Sequence, residues 1–275
     1  MKIRINIVMF FLLILLANNL LSAQEIKEEL PPIGDPLSAK DIVFHKEFVG
    51  SGMIHSHGFG VSVHFAKIKD IYKKKVVEIS VTDMKHPKEV RQQSLFALGN
   101  RSAKGYVYGK INNFYTINYT IGVARTIAEK ARKSGVALDY YYAIGPSLGL
   151  LKPYYLEVIV EQDGRLTTQD IKYSDETAQQ FLNSNLIYGS AGFTKGLDEI
   201  KFHPGLQAKL AITFDWASYD EIVKGIEVGA LANAYAPEIS GLFKGDIKGV
   251  QVVAKQPDNY FFTSLYLRIF FGKRW

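Results

Sequence analysis

The sequence predicts an all-β chain: an antiparallel, up-and-down transmembrane β-barrel, most simply of eight strands, with long external loops. Three observations carry this. Stretches of about ten residues alternate apolar and polar side chains, the period of a strand with two unlike faces. The last of them, Tyr260 to Trp275, sets Leu265, Leu267, Ile269, Phe271 and Trp275 against Ser264, Tyr266, Arg268, Phe270 and Gly272. A charge in mid-strand beside an apolar face is the pattern of a strand between lipid and a polar lumen. Finally, no stretch reaches the roughly 18 apolar residues of a membrane helix. A membrane location therefore requires a closed barrel, because an open sheet leaves backbone groups unpaired in lipid.

Residues 1–23 read as a secretory signal peptide. Lys2 and Arg4 start it, Ile7 to Ala17 is its apolar run, and Ser22-Ala23 places cleavage before Gln24. Residues 24–53 are charged and proline-bearing and read as an exposed lead-in. The barrel is expected over 54–275. Its first strand, 54–67, sets Val61, Val63 and Phe65 against Ser62 and His64. The second, 75–84, sets Val77, Ile79 and Val81 against Glu78 and Ser80. A long link, 85–104, follows and is out of scale for an internal turn. The third strand spans 106–121, and 123–133 loses the alternation in favour of helix formers.

The fourth strand is expected over 135–149, and a tight turn at Lys152-Pro153 leads into a fifth at 154–161. Gln162-Asp163-Gly164 is a turn signal opening a long irregular segment to 203. Within it, Ser174 to Leu182 reads as a short helix with Ser174 as N-cap and Asp175 and Glu176 in its first turn. The sixth strand, 205–216, has the cleanest alternation, from Leu206 to Trp216. The seventh covers 221–233 and the eighth is the terminal stretch. An even count suits single-chain membrane barrels. With both ends on one side, the external connections are 68–74, 122–134, 162–204 and 234–259. A ten-strand version using Gly249 to Ala254 is the alternative.

Alternation alone does not say which face is outside, since a soluble ligand-carrying barrel alternates with its apolar side inward. The polar set holds both signs at mid-strand: Lys110, Lys209 and Arg268 with Glu78, Asp139, Glu157, Asp215 and Glu227. Side chains fill an eight-stranded lumen, and opposed charges there can pair. The polar face is therefore expected inside.

The signal peptide, the even set of alternating strands and the closing Phe271-Gly272-Lys273-Arg274-Trp275 resemble small outer-membrane β-barrel proteins of Gram-negative bacteria. Lys85-His86-Pro87-Lys88-Glu89, Tyr108-Gly109-Lys110 and the terminal Gly-Lys-Arg-Trp are similar to segments of an uncharacterised group of such barrels. The resemblance implies an integral protein of the cell outer membrane. It implies as partners outer-membrane lipid and the barrel insertion machinery, engaged through the C-terminal strand. It carries no activity and no functional residues.

Composition excludes several chemistries. With no cysteine there is no disulfide framework, no Cys-ligated metal and no lipid anchor on an N-terminal Cys. A net charge of +6, without a basic stripe interleaved with aromatics, does not point to nucleic acid. Nucleotide-binding glycine motifs and H-E-x-x-H are absent. His55 and His57 share a strand face, but zinc needs at least one more ligand than they supply. A Ser-His-acid site, the pattern of a membrane-embedded lipid hydrolase, would call on His64 with Glu78, or on His55 with Ser56. The ordinary reading of each is a hydrogen-bonded lumen pair or a strand end. The expectation is therefore a barrel with no catalytic, metal or cofactor residues, acting structurally or through a ligand of its external loops. A lipid hydrolase, a narrow channel and a soluble secreted ligand-binding barrel are the alternatives.

Overall fold

Eight of the alternating segments pair edge to edge until the last meets the first. The computed structural model describes residues 44–70, 72–85, 89–94, 104–129, 135–174, 176–217, 221–235 and 260–275. The wall consists of β1 (Lys46–His55), β2 (Gly58–Asp70), β3 (Lys73–Met84), β6 (Asn112–Ala128), β7 (Ala137–Pro153), β11 (Lys201–Asp215), β12 (Ile222–Tyr235) and β13 (Phe261–Arg274). Their order around the barrel is β1-β13-β12-β11-β7-β6-β3-β2. Every pairing is antiparallel, and closure is made by β1 on β13, from Glu47 opposite Arg274 to His55 opposite Tyr266.

The remaining elements lie in two connections. The first holds β4 (Arg91–Gln92) and β5 (Tyr106–Val107), which pair with each other. The second holds β8 (Tyr155–Gln162), β9 (Arg165–Lys172), a short helix α1 (Ala178–Phe181) and β10 (Ile187–Ser190). There β8 sits between β10 and β9 in a sheet of its own. The β8–β9 turn places Asp163 (φ 53°) and Gly164 (φ 73°) in the left-handed region, the backbone of a tight hairpin turn. The expected turn at 162–164 is there, but it joins two strands and does not open an irregular segment.

The strand count is as expected, but its membership differs. Residues 46–53, expected in the lead-in, form most of β1. Its outward positions include Gly50 and Gly52, which thin the apolar signal. The expected fifth strand is β8, which leaves the wall and pairs only within the second connection. No turn forms at Lys152-Pro153, because β7 runs through both residues. The two errors compensate. A missed first strand reverses the side on which every early connection lies, and a false fifth strand restores it.

As a result 71–72 and 129–136 sit at the end that carries both ends of the barrel chain, not externally as expected. The link expected over 85–104 falls in the β3–β6 connection, which lies at the opposite end with the β7–β11 connection. The long β3–β6 and β7–β11 connections thus share one end with the two-residue turn 56–57, and the opposite end carries short connections, much as membrane barrels are built.

Other expectations change as well. Residues 123–128 continue β6 and are not helical. The expected helix at 174–182 shrinks to α1, with Thr177 at the N-cap and no acid in its first turn. Ser174 instead makes a hydroxyl pair with Thr177 at 2.9 Å. A wall that closes with eight strands removes the ten-strand version. Residues 1–23, 24–43 and 249–254 lie outside the described residues.

Burial follows the strand period. Along β13, Ser264, Tyr266, Arg268, Phe270 and Arg274 are buried, and the residues between them are exposed or half-buried. The same alternation puts Glu78, Thr120, Asp139, Lys209 and Glu227 inside, and Val63, Ile79, Ile144, Leu210 and Val228 outside. Apolar is outward and polar inward, the reverse of a soluble ligand-carrying barrel. That alternative is corrected by this arrangement.

Candidate functional site

Three regions could carry function: the lumen, the structured cap formed by the long connections, and the outer wall.

At mid-height Glu78 of β3 accepts from Lys209 Nζ of β11 at 2.6 Å and from Arg268 Nη1 of β13 at 2.8 Å. Arg268 Nη2 also binds Glu227 of β12. Tyr266 Oη donates to Glu227 at 2.5 Å, and Tyr141 Oη lies 3.4 Å from Glu78. Two acids and two bases thus compensate one another where burial of any one alone would be costly. Nearer the terminal end a second set forms. Arg274 Nε donates to Glu47 at 2.8 Å, its Nη2 binds Asp215, and its Nη1 donates to the Ala217 carbonyl at 2.7 Å. Lys74 lies 3.4 Å from Glu47 and 3.6 Å from Asp139, and Thr126 donates to Asp139 at 2.8 Å. Both sets arise because the period of two turns every second residue of each strand inward. Between them lies a cavity of about 30 Å³, bordered by Glu47, His64, Lys74, Asp139, Asp215 and Arg268. That is room for about one water.

Toward the long connections the lumen turns neutral. Thr82 and Thr116 hydroxyls meet at 2.5 Å, Asn118 Nδ2 donates to Ser80 and Thr116, and Ser147 donates to Asn118 Oδ1 at 2.6 Å. Above them Phe114, Tyr235 and Phe262 pack ring against ring with centroids 5.3–6.0 Å apart. Charged pairs, then amides and hydroxyls, then rings follow one another along the interior.

The residues singled out for chemistry are placed as follows. His64 and Glu78 are register partners across β2 and β3, but His64 Nε2 bonds Glu47 Oε1 at 3.3 Å and Glu78 is taken by Lys209 and Arg268. The pair does not form a Ser-His-acid site. His55 ends β1 facing inward, and the His57 amide donates to its Nδ1 at 3.3 Å. Ser56 Oγ lies 3.1 Å from His57 Nδ1, while Ser264 Oγ, which sequence reasoning did not single out, is closer at 2.7 Å. Among the described residues no group of three His, Asp or Glu side chains could hold a metal. His203 lies buried within β11. Lys110 and Glu157, expected among the lumen charges, belong to the cap.

The cap ties the two connections together. Lys110 Nζ binds Glu89 at 2.7 Å and sits over the Tyr154 ring at 5.8 Å. The Val107 amide donates to Tyr154 Oη at 3.2 Å, Tyr108 Oη to the Leu182 carbonyl at 2.7 Å, and Ser190 Oγ to the Gly105 carbonyl at 3.0 Å. Beneath these bonds Tyr106, Ile111, Leu156, Val158, Ile171, Phe181 and Ile187 form a core separate from the barrel's. The segment after β10 folds back on β8 and β9. Glu199 accepts from Lys172 at 2.6 Å and from Tyr155 at 2.9 Å, and Lys195 binds Asp170 at 2.8 Å. The Lys172 hydrogen bond holds the Glu199 carboxyl below the usual range, and the same bond raises Lys172. Leu166 and Phe193 stand exposed on this cap.

The wall is the third region. Its outward residues from Phe48 to Ile54, Phe59 to Phe65, Val77 to Val81, Tyr115 to Val123, Leu138 to Leu150, Phe202 to Phe214, Ile226 to Ala234 and Phe261 to Phe271 include no charge. All eight strands contribute to the band. On β13 it runs roughly 33 Å along the strand at 3.3 Å per residue, or about 25 Å along the axis at a tilt near 40°.

These features define a closed eight-stranded antiparallel barrel with charged side chains in its interior, an uncharged band around its exterior and a folded cap at one end. No family model matches the sequence, and no curated protein matches it significantly. Among solved structures it is similar to Ail, the attachment invasion locus protein of Yersinia pestis. The identity is 9%, the match covers 84% of this chain and 99% of that one, and the TM-score is 0.37. The same protein in complex with the heparin analogue sucrose octasulfate matches at 7% identity, over 84% and 98% of the chains, with a TM-score of 0.34. Neisserial surface protein A matches at 9% identity, over 84% and 95%, with a TM-score of 0.33. At such values the likeness carries no argument about function. The barrel assignment stands on the strand pairing of this chain.

Proposed function

We propose that this chain is an integral outer-membrane barrel that presents a folded cap outside the cell for binding, with a structural and non-enzymatic barrel beneath it. The observation that carries this is the uncharged outer band contributed by all eight strands, about as tall as the apolar layer of an outer membrane. Water would not tolerate so continuous an apolar wall on a monomer. Export would use residues 1–23, and insertion the aromatic-ended terminal strand. The barrel's two chain ends and its short turns then face the periplasm, and the cap built from 85–111 and 154–200 faces outward. Its separate core and cross-ties hold a fixed surface, which binding needs to avoid the entropy cost of ordering a loose loop.

Fractionation of expressing cells tests the location, followed by gel mobility of the detergent-extracted protein with and without heating. Recovery in the outer membrane with heat-shifted mobility is expected. Recovery in the soluble fraction would overturn the reading.

A further inference from the structure

The outer wall carries nearly all its charge at one end. Beyond the uncharged band, at the end with the short turns, the outward positions of β1, β2 and β3 are Lys46, Lys67 and Lys75. Lys46 is in register with Lys67, and Lys67 with Lys75, so three exposed lysines form one row across three strands. Like charges directly opposite on neighbouring strands repel. Arg125 stands opposite Lys73 on the next pair and continues the excess. At the other end the outward strand charges are Asp83 and Lys152 alone among the described residues.

The row has a defined depth. One step into the band, Phe48 faces Phe65 in register, with ring centroids 4.8 Å apart. An aromatic pair at the edge of an apolar band marks the membrane interface. Lysines two residues further on extend their stems along apolar surface and place their ammonium groups at headgroup level. Trp275 completes the edge. Its backbone exchanges hydrogen bonds with Lys46 at 2.9 and 3.0 Å, and its ring is 53% exposed.

We propose that Lys46, Lys67 and Lys75 form a binding site for the phosphate of an anionic phospholipid in the leaflet at the terminal end. Ammonium-to-phosphate hydrogen bonds are charge-assisted, and a phosphate laid across the row offsets the repulsion among the lysines. The site rests on the membrane reading above. It gives the barrel a preferred lipid and fixes its depth in the bilayer.

The protein's two tryptophans, Trp216 and Trp275, both lie on the outside at this end, so with Trp216→Phe the remaining indole reports on lipid beside Lys46. The experiment refolds this variant into phosphatidylcholine vesicles carrying one-fifth brominated phosphatidylglycerol, or one-fifth brominated phosphatidylcholine. Gel mobility is recorded in parallel. Stronger quenching by the anionic lipid is expected, weakening as salt rises. Lys46→Gln, Lys67→Gln and Lys75→Gln should each lower the preference by up to roughly fivefold, with heat-shifted mobility unchanged. Equal quenching by the two lipids in a protein that shows the heat shift overturns the site and leaves the membrane reading standing. No quenching by either lipid and no heat shift overturns both.

Discussion

Glu78 shows how far one residue can commit this structure. It is fully enclosed and carries two cations, Lys209 and Arg268. Glu78→Ala leaves Lys209 without its carboxylate and Arg268 with Glu227 alone. Breaking a buried pair this way costs about 3–5 kcal/mol. Urea unfolding of the barrel in vesicles should show a loss of that size, partly recovered when Lys209→Met is added. A loss below about 1 kcal/mol would mean that water reaches the network and that the lumen is not packed. The sequence predicted both signs on the inward face, because period two sorts them. It did not show which acid meets which base, since that depends on the stagger of strands around the barrel. Ser264 meets His57 from the far end of the chain for the same reason.

At the scale of the element, legibility follows the strength of the alternation. The strands near 75–84, 205–216 and 261–274 were readable because each keeps at least three successive apolar residues on one face, such as Val77-Ile79-Val81, Leu210-Ile212-Phe214 and Leu265-Leu267-Ile269. β1 was not, because glycine takes two of its outward positions. β8 was readable as a strand but not as a cap strand, since period two describes any sheet with two unlike faces. The cap's tie at Glu199 gives a pH prediction. Its carboxyl is held below its ordinary value by Lys172, so the stabilisation is present above the unfolded value and lost as pH falls through the folded one. Lys172 is raised, so its side of the bond persists through neutral pH and fails only in alkali. Both groups are partly exposed, which keeps the contribution under about 1 kcal/mol. Protection of the 191–200 amides, taken relative to the intrinsic exchange rate at each pH, should therefore fall at strongly acidic pH, and Glu199→Gln should show the lower protection already at neutral pH. Equal protection in the two proteins at neutral pH would count against the tie.

The barrel and the cap are separable at the scale of the molecule, and this leads to a further prediction. β7 and β11 pair directly at the rim, from Leu151 opposite Lys201, so the connection between them needs little length. Replacing 156–199 by a short glycine-serine turn should leave a barrel with heat-shifted mobility, because loop length contributes only slowly to closure entropy. The cap core would go with it, and binding at the cap should be lost.

Conductance tests the other half of the division. Mid-height charges, the amide layer and the Phe114–Tyr235–Phe262 rings stand in succession along the lumen. Eight strands leave an interior that side chains fill. The full chain in a planar bilayer should pass no steady current, and so should the shortened chain, because the blockade belongs to the wall and not to the cap. Phe114→Ala thins the ring layer but leaves the charged layer beneath it, so that variant should stay closed as well. Current through the shortened chain alone would move the seal to the cap. Current through the full chain would make the barrel a channel, and the ion pairs its lining.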